Sequence, residues 1–221
     1  ILISIFILIT VLLIIYLFLP NKVAVLGYHN IININDESSD MSMYVKKFEK
    51  EMKYLKEMNF KTLTLDEMND YMNGKLKINK KTVLITFDDG YKSNYEYAFP
   101  ILKKYNLNAV VFIIGKETIN DSDTYFNKEL IEKTKKEYPN IEFASHTFDM
   151  HDNKRVTDMS YEEISNDFNN QQTVIDTKYL AYPYGIYNDT IINVLKEKKY
   201  KLAFGFGYDG DFKKAYKTDN K

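Results

Sequence analysis

Cysteine is absent from these 221 residues, which excludes disulfides, thiolate metal sites and a lipid-bearing cysteine. Tryptophan is absent too, and with only 4 Pro and 8 Gly no linker, repeat or low-complexity segment stands out. Neither charge sign is in excess: 30 Lys+Arg against 31 Asp+Glu leave a net charge of −1. No basic field therefore points to nucleic acid, and no acidic tail points to a basic partner. Arginine occurs once, at Arg155, and histidine three times. Tyrosine is abundant at 19, but aromatic residues are more often core than binding surface, so the count defines no site.

What the chain does have is one long apolar run. Ile1 to Leu19 carries no charge and is almost wholly Ile, Leu, Phe and Val; at 1.5 Å per residue it makes roughly 28 Å of helix, enough to cross a bilayer core. A cleaved signal peptide is the alternative, although its apolar region is usually shorter and no small-x-small site is evident around Pro20-Asn21-Lys22-Val23-Ala24. The expectation is an uncleaved transmembrane anchor over residues 1–19. The remaining stretch, 20–221, suits one catalytic domain with a substantial core rather than two small ones.

Beyond the anchor, short apolar runs alternate with amphipathic stretches, the pattern of an α/β fold with a parallel sheet. Expected strands are Val23–Tyr28, Phe60–Leu63, Val83–Phe87, Ala109–Ile114, Ile141–Ser145, Leu180–Tyr182 and Leu202–Phe204, about seven in all. Between them, Val45, Phe48, Met52 and Leu55 recur at helical spacing, and helices are expected over 93–105 (interrupted or restarted at Pro100), 128–138 and 190–199. Thr64-x-x-Glu67 and Ser160-x-x-Glu163 read as capping boxes opening two more.

The chemistry-bearing residues fall at the ends of these strands. Thr86-Phe87-Asp88-Asp89-Gly90 sets two carboxylates side by side where an apolar strand meets a glycine turn. Like charges so placed raise each other's pKa unless a cation or proton separates their roles, so one suits a metal ligand and the other a base; a plain polar turn is the alternative. Each histidine also follows a strand: His29 after 23–28, and His146 and His151 after 141–145. A lone histidine is usually a surface or satisfied core residue. All three sharing this placement favours a ligand role, and a five-residue spacing suits a loop folding two imidazoles onto one ion better than a helix face. The reading is a His-His-Asp metal site. His29, Asp88-Asp89, His146 and Tyr182-Pro183-Tyr184 would converge at the carboxyl face of an irregular (β/α)7-type barrel preceded by the transmembrane helix. An open doubly wound sheet is less favoured, because no glycine-rich phosphate loop follows the first strand.

At these residues the chain resembles the polysaccharide deacetylase superfamily, the NodB-homology domain of carbohydrate esterase family 4, over about residues 23–206. Thr86-Phe87-Asp88-Asp89-Gly90 looks like its first motif, with Asp88 as catalytic base and Asp89 as metal ligand, and His146 and His151 look like its metal-binding histidines. Tyr182-Pro183-Tyr184-Gly185 resembles the motif in which the backbone N–H of the Tyr after Pro holds the oxyanion. The chain departs from many members in having Ala181 where they carry the arginine that orients the base, and in lacking a later Trp and a carboxyl-terminal Leu-x-His. Those departures resemble the branch acting on poly-β-1,6-N-acetylglucosamine, as does Tyr28-His29-Asn30-Ile31, whose histidine would be the general acid.

The resemblance implies a metal-dependent hydrolase that removes N-acetyl groups from a surface polysaccharide, releasing acetate. One divalent ion is expected, zinc first, with Co²⁺, Ni²⁺, Mn²⁺ or Fe²⁺ able to occupy the same ligands. Poly-β-1,6-N-acetylglucosamine is the favoured polymer, peptidoglycan N-acetylglucosamine the alternative, and a non-catalytic carbohydrate-binding module a third reading. The anchor would hold the domain on the extracytoplasmic face of the cell membrane.

Overall fold

Every expected strand forms, and for the expected reason. In the computed structural model, which describes residues 21–151, 155–205 and 216–217 together with residues 5 and 10, β1 (Ala24–Tyr28) is followed by β2 (Asn30–Ile32) and β3 (Ser42–Tyr44), a short parallel pair of their own. Then come α1 (Val45–Glu57), β4 (Lys61–Thr62), α2 (Leu65–Met72), β5 (Thr82–Phe87), a π-helical turn over Asn94–Ala98 and α3 (Phe99–Tyr105). β6 (Ala109–Ile113), α4 (Gly115–Asn120), α5 (Lys128–Glu137) and β7 (Ile141–Ser145) follow. The chain continues through α6 (Tyr161–Val174), β8 (Tyr179–Ala181), α7 (Asp189–Glu197), β9 (Leu202–Phe204) and β10 (Tyr216–Lys217).

The sheet runs β1-β5-β6-β7-β8-β9-β10, with β4 also paired to β5; all neighbours are parallel except β10 on β9. Parallel order puts all the carboxyl ends on one rim. β5 and β6 are buried residue for residue, the near-continuous apolar run of a strand covered on both faces. The period-two alternation still sorts their side chains: Val83, Ile85, Phe87, Ala109, Val111 and Ile113 meet α1 and α3 on the outer face, whereas Leu84, Val110 and Phe112 meet Leu63, Leu65 and Met68 of the α2 region on the inner. On the outer face Tyr28, Phe48, Phe87, Phe99, Phe126 and Phe143 form a chain of ring contacts at 5.1 to 6.3 Å, each worth ~0.5–1.5 kcal/mol beyond burial.

The architecture departs from the expected barrel in one respect. The sheet curls but no pairing joins β1 to β9 or β10 among the described residues, so it is a half-barrel, plugged on its inner side by α2. Two expected caps form as read: Thr64 and Glu67 exchange hydrogen bonds at the start of α2, and Ser160 and Glu163 do the same for α6. The restart at Pro100 has a concrete form. Proline lacks the N–H for an α-helical bond, and the Phe99 N–H reaches five residues back to the Asn94 carbonyl, so a π turn hands over to α3 with the proline in its first turn. The apolar segment expected as an anchor, residues 1–19, lies outside the described residues except for residues 5 and 10, and no helix among those described is long and apolar enough to cross a membrane.

Candidate metal centre and active site

Because β1, β5, β7 and β8 are parallel, the residues after them share one rim, and His29, Asp88, Asp89, His146, His151, Tyr182 and Tyr184 line a single cavity of about 270 Å³. Asp88 continues from β5 with its N–H donated to the Tyr28 carbonyl at 2.9 Å, which ties the two strand ends together. The chain then turns sharply. Asp89 has φ of +67° and Gly90 +79°, and a Cβ at Gly90 would lie 2.9 Å from Ile113 Cγ2, so side chain and backbone both demand glycine there.

The turn sets the Asp89 carboxylate between the two imidazoles. Its Oδ1 lies 3.4 Å from His146 Nε2 and 3.5 Å from His151 Nε2, and the rings are 4.4 Å apart between centroids. A single ligand atom from each of the three lies within 4.8 Å of the others. Ligands about 2.1 Å from a tetrahedral ion stand roughly 3.4 Å apart, so the trio fits a divalent cation. His146 is committed to that use: its Nδ1 lies 2.8 Å from the Ala181 carbonyl, which selects the Nδ1–H tautomer and leaves the Nε2 lone pair facing Asp89. His151 Nδ1 is buried without a partner among the described residues.

The charges follow from this packing. Burial tends to raise the Asp89 carboxyl, but the hydrogen bond and charge of His146, with His151 and His29 beyond, hold it below the usual range. For Asp88 burial prevails over the pull of His146 and His29, and its pKa is raised. His151 is pushed down to about 3 by burial and the neighbouring His146, so it offers a neutral imidazole at neutral pH. Burial works against a charged His146, yet the Asp89 and Asp88 carboxylates raise its pKa. Cation binding therefore competes with a proton at His146.

His29 reaches the cavity from the carboxyl end of β1, the strand paired beside β5. Its backbone is pinned by Asn94, a fully buried side chain that donates to the His29 carbonyl at 2.8 Å and accepts the Ile31 N–H at 3.1 Å. Nothing in the sequence singled out Asn94; it reads as an ordinary polar residue near a helix start. The Tyr182-Pro183-Tyr184 segment behaves as two halves. Tyr182 is buried and stacks on Tyr187 at 5.0 Å, and Pro183 is buried without lining the cavity. Tyr184 is half exposed, has φ of +56°, and donates its hydroxyl to the His151 carbonyl at 2.8 Å while its ring lies 5.5 Å from the His151 ring. Arg155 is exposed and outside the cavity lining, which contains no lysine or arginine among the described residues.

Residues 75–203 match the family model described as Polysaccharide deacetylase. The chain is 34% identical over 203 residues to the Bacillus subtilis (strain 168) protein YxkH, covering 83% of this chain and 64% of that one, a little under two thirds of the relative's length. It is also 34% identical over 211 residues to a Staphylococcus aureus (strain MRSA252) poly-beta-1,6-N-acetyl-D-glucosamine N-deacetylase, covering 83% of this chain and 72% of that protein. Among solved structures, the Streptococcus pyogenes deacetylase PplD in complex with acetate superposes with a TM-score of 0.75 at 25% identity, over 83% of each chain. The strand-end carboxylates, the paired histidines and these likenesses agree, and the chain belongs to the polysaccharide deacetylase family.

Proposed function

We propose that this chain is a metal-dependent N-deacetylase that releases acetate from N-acetylglucosamine units of a cell-surface polysaccharide, with poly-β-1,6-N-acetylglucosamine the first substrate. The observation that carries the reading is the 3.4 and 3.5 Å approach of His146 and His151 to one oxygen of Asp89, beside a second carboxylate, Asp88, in the same cavity. The Staphylococcus aureus relative supports the choice of polymer.

An amide is a poor electrophile with a poor leaving group, so its hydrolysis needs an activated water, charge stabilisation on the carbonyl oxygen and a proton for the amine. Asp89, His146 and His151 would hold the divalent ion, zinc by first choice, which when bound supplies Lewis-acid polarisation and a more acidic water. Asp88 takes a proton from the attacking water; its raised pKa moves it toward the range where a carboxylate can accept one and pass it on. The backbone N–H of Tyr184 is offered to the developing oxyanion. His29, lining the same cavity from the end of β1, delivers the proton to the departing amine, so the polymer stays intact and one glucosamine unit is left.

The reading is tested by acetate release from acetylated poly-β-1,6-glucosamine and from peptidoglycan. Release from the first favours the stated substrate, release only from the second favours the wall polymer, and retention of polymer without turnover would make the domain a binding module. His29→Ala should keep its metal, lose roughly 10²-fold or more in kcat and lose the alkaline limb of the pH-rate profile, which reports the acid's proton. Loss of stability with unchanged kcat in the folded fraction would reduce His29 to a strand-end residue. Residues 1–19, read as a membrane anchor, would hold the domain on the outer face. Protease digestion of the domain on intact, wall-stripped cells is then expected, and protection until lysis would remove a surface polymer as substrate.

A further inference from the structure

The loop joining the two metal-binding histidines has its backbone fixed from both sides, and the fixing group on one side is a buried carboxylate that no step of the deacetylation uses. On one side, the Gly115 N–H donates to the Thr147 carbonyl and the Lys116 N–H to the Phe148 carbonyl, each at 3.0 Å, from the first turn of α4. On the other, the Asp167 carboxylate accepts the Phe148 N–H at one oxygen and the Asp149 N–H at the other, both at 2.8 Å. Asp167 sits on α6, is 7% exposed and has no cationic side chain among its recorded partners. One turn along the same helix face, Gln171 donates its amide to the Ile113 carbonyl at the end of β6. Gly115 can lie against this face only because it lacks a side chain: a Cβ there would fall 2.1 Å from Gln171 Oε1.

The loop needs such a hold. Thr147 has φ of +69°, a left-handed conformation that costs a β-branched residue of order 1–3 kcal/mol and persists only where surrounding contacts over-determine it. Its own hydroxyl is buried without a partner among the described residues, so the side chain does not secure the turn. A buried carboxylate bonded only to neutral N–H groups is costly to bury, which makes it an expensive choice for packing alone. Two parallel N–H bonds to one carboxylate, by contrast, fix both the position and the rotation of the peptide pair they hold.

We propose that Asp167 is the positioning residue of the metal centre: its bidentate grip on the Phe148 and Asp149 amides sets the path from His146 to His151, and so the separation of the two imidazoles from Asp89. This rests on the metal-centre reading of the trio but not on the identity of the polymer. The grip predicts an asymmetric failure. An amide at this position keeps one acceptor oxygen and turns an NH₂ toward the other N–H, so one backbone donor is left buried and unpaired while the volume is unchanged.

The test is zinc affinity of the full chain, read by competition with a chromophoric chelator, alongside the thermal midpoint of the zinc-free protein. For Asp167→Asn we expect a zinc Kd raised roughly 10- to 100-fold, the range for groups that orient ligands from outside the coordination sphere. At saturating zinc kcat should return to within a few fold of the parent, since Asp167 touches no reacting atom. Asp149→Ala, which removes the side-chain ion pair to Lys116 but keeps the held N–H, should leave the zinc Kd within about threefold. If Asp167→Asn does not fold, Asp167→Glu carries the same comparison: it preserves charge and both acceptors but displaces them by a methylene, and its folded fraction should show the weakened Kd. A variant that lowers the midpoint but binds zinc as the parent does would overturn the proposal and leave Asp167 a purely structural residue. Parent protein that binds zinc tightly yet releases no acetate would instead overturn the deacetylase reading and leave this proposal standing.

Discussion

Asp88→Asn should keep its divalent ion and lose roughly two to four decades of kcat, the scale of a general base removed, or about 3–5 kcal/mol of transition-state stabilisation at ~1.36 kcal/mol per decade. The substitution is nearly isosteric, and the Asp88 backbone bond to the Tyr28 carbonyl does not involve the side chain, so the strand end should hold. Asparagine has no basic oxygen able to take up a proton from water. Asp89→Asn should behave differently, because Asp89 is the oxygen shared by both imidazoles; there the ion itself should be lost first. Metal analysis by plasma emission and acetate release on the same preparations separate the two. Finding the ion missing in Asp88→Asn and present in Asp89→Asn would exchange their roles.

The contrast between these adjacent residues shows why part of the site was legible in the sequence. Side chains with chemistry that packing does not ask for, placed at the ends of apolar runs, carry their own signal: an acid pair before glycine, and three histidines each after a strand. Parallel strand order, itself readable from the alternation of strands and amphipathic helices, then dictates that they meet on one rim. All seven expected strands lie in the sheet, and both capping boxes close as read.

What stayed hidden is of a different kind. Asn94 and Asp167 each bond two backbone groups, 65 and 63 residues away for Asn94 and 19 and 18 for Asp167, and those partners have no side-chain signature. Neither sequence spacing nor composition encodes which carbonyl a buried amide will find. The short parallel pair β2 and β3 is held by tertiary packing and too brief to show a period. Closure of the sheet, which no pairing among the described residues achieves, is not legible from strand count, because the count does not fix the register that would join the last strand to the first. With Ala181 in place of an arginine, the charged groups that act on Asp88 are His146, His29 and Asp89.

Three non-glycine residues around the cavity have left-handed backbones, Asp89 at +67°, Thr147 at +69° and Tyr184 at +56°. Asp89 belongs to the trio that fits a cation, Thr147 follows His146, and the Tyr184 ring lies 5.5 Å from that of His151. Such conformations cost of order 1–3 kcal/mol each unless the residue tolerates them, as Asp does better than Thr or Tyr. Their clustering implies that the fold gives up local stability to gather the Asp89, His146 and His151 side chains into a small volume. A bound cation would recover some of that loss through mass action, since it binds the folded cage and not the dispersed ligands.

Stripping the divalent ion should therefore reduce acetate release to background and lower the thermal midpoint together, and one equivalent of zinc per chain should restore both. Cysteine is absent from the sequence, so no thiolate competes for the added ion. His146→Ala is the stringent companion. It removes one ligand of three and also the group that donates to the buried Ala181 carbonyl, leaving that oxygen unpaired at a cost of about 1–3 kcal/mol. The variant should match the stripped parent in activity but not respond to zinc at concentrations that restore the parent. Its zinc-free form should be less stable than the zinc-free parent by that same local cost. Measuring metal content, acetate release and midpoint on both proteins distinguishes the causes. Full acetate release from the stripped parent would end the metal-water mechanism, and a zinc-restored His146→Ala would place the ion on other ligands.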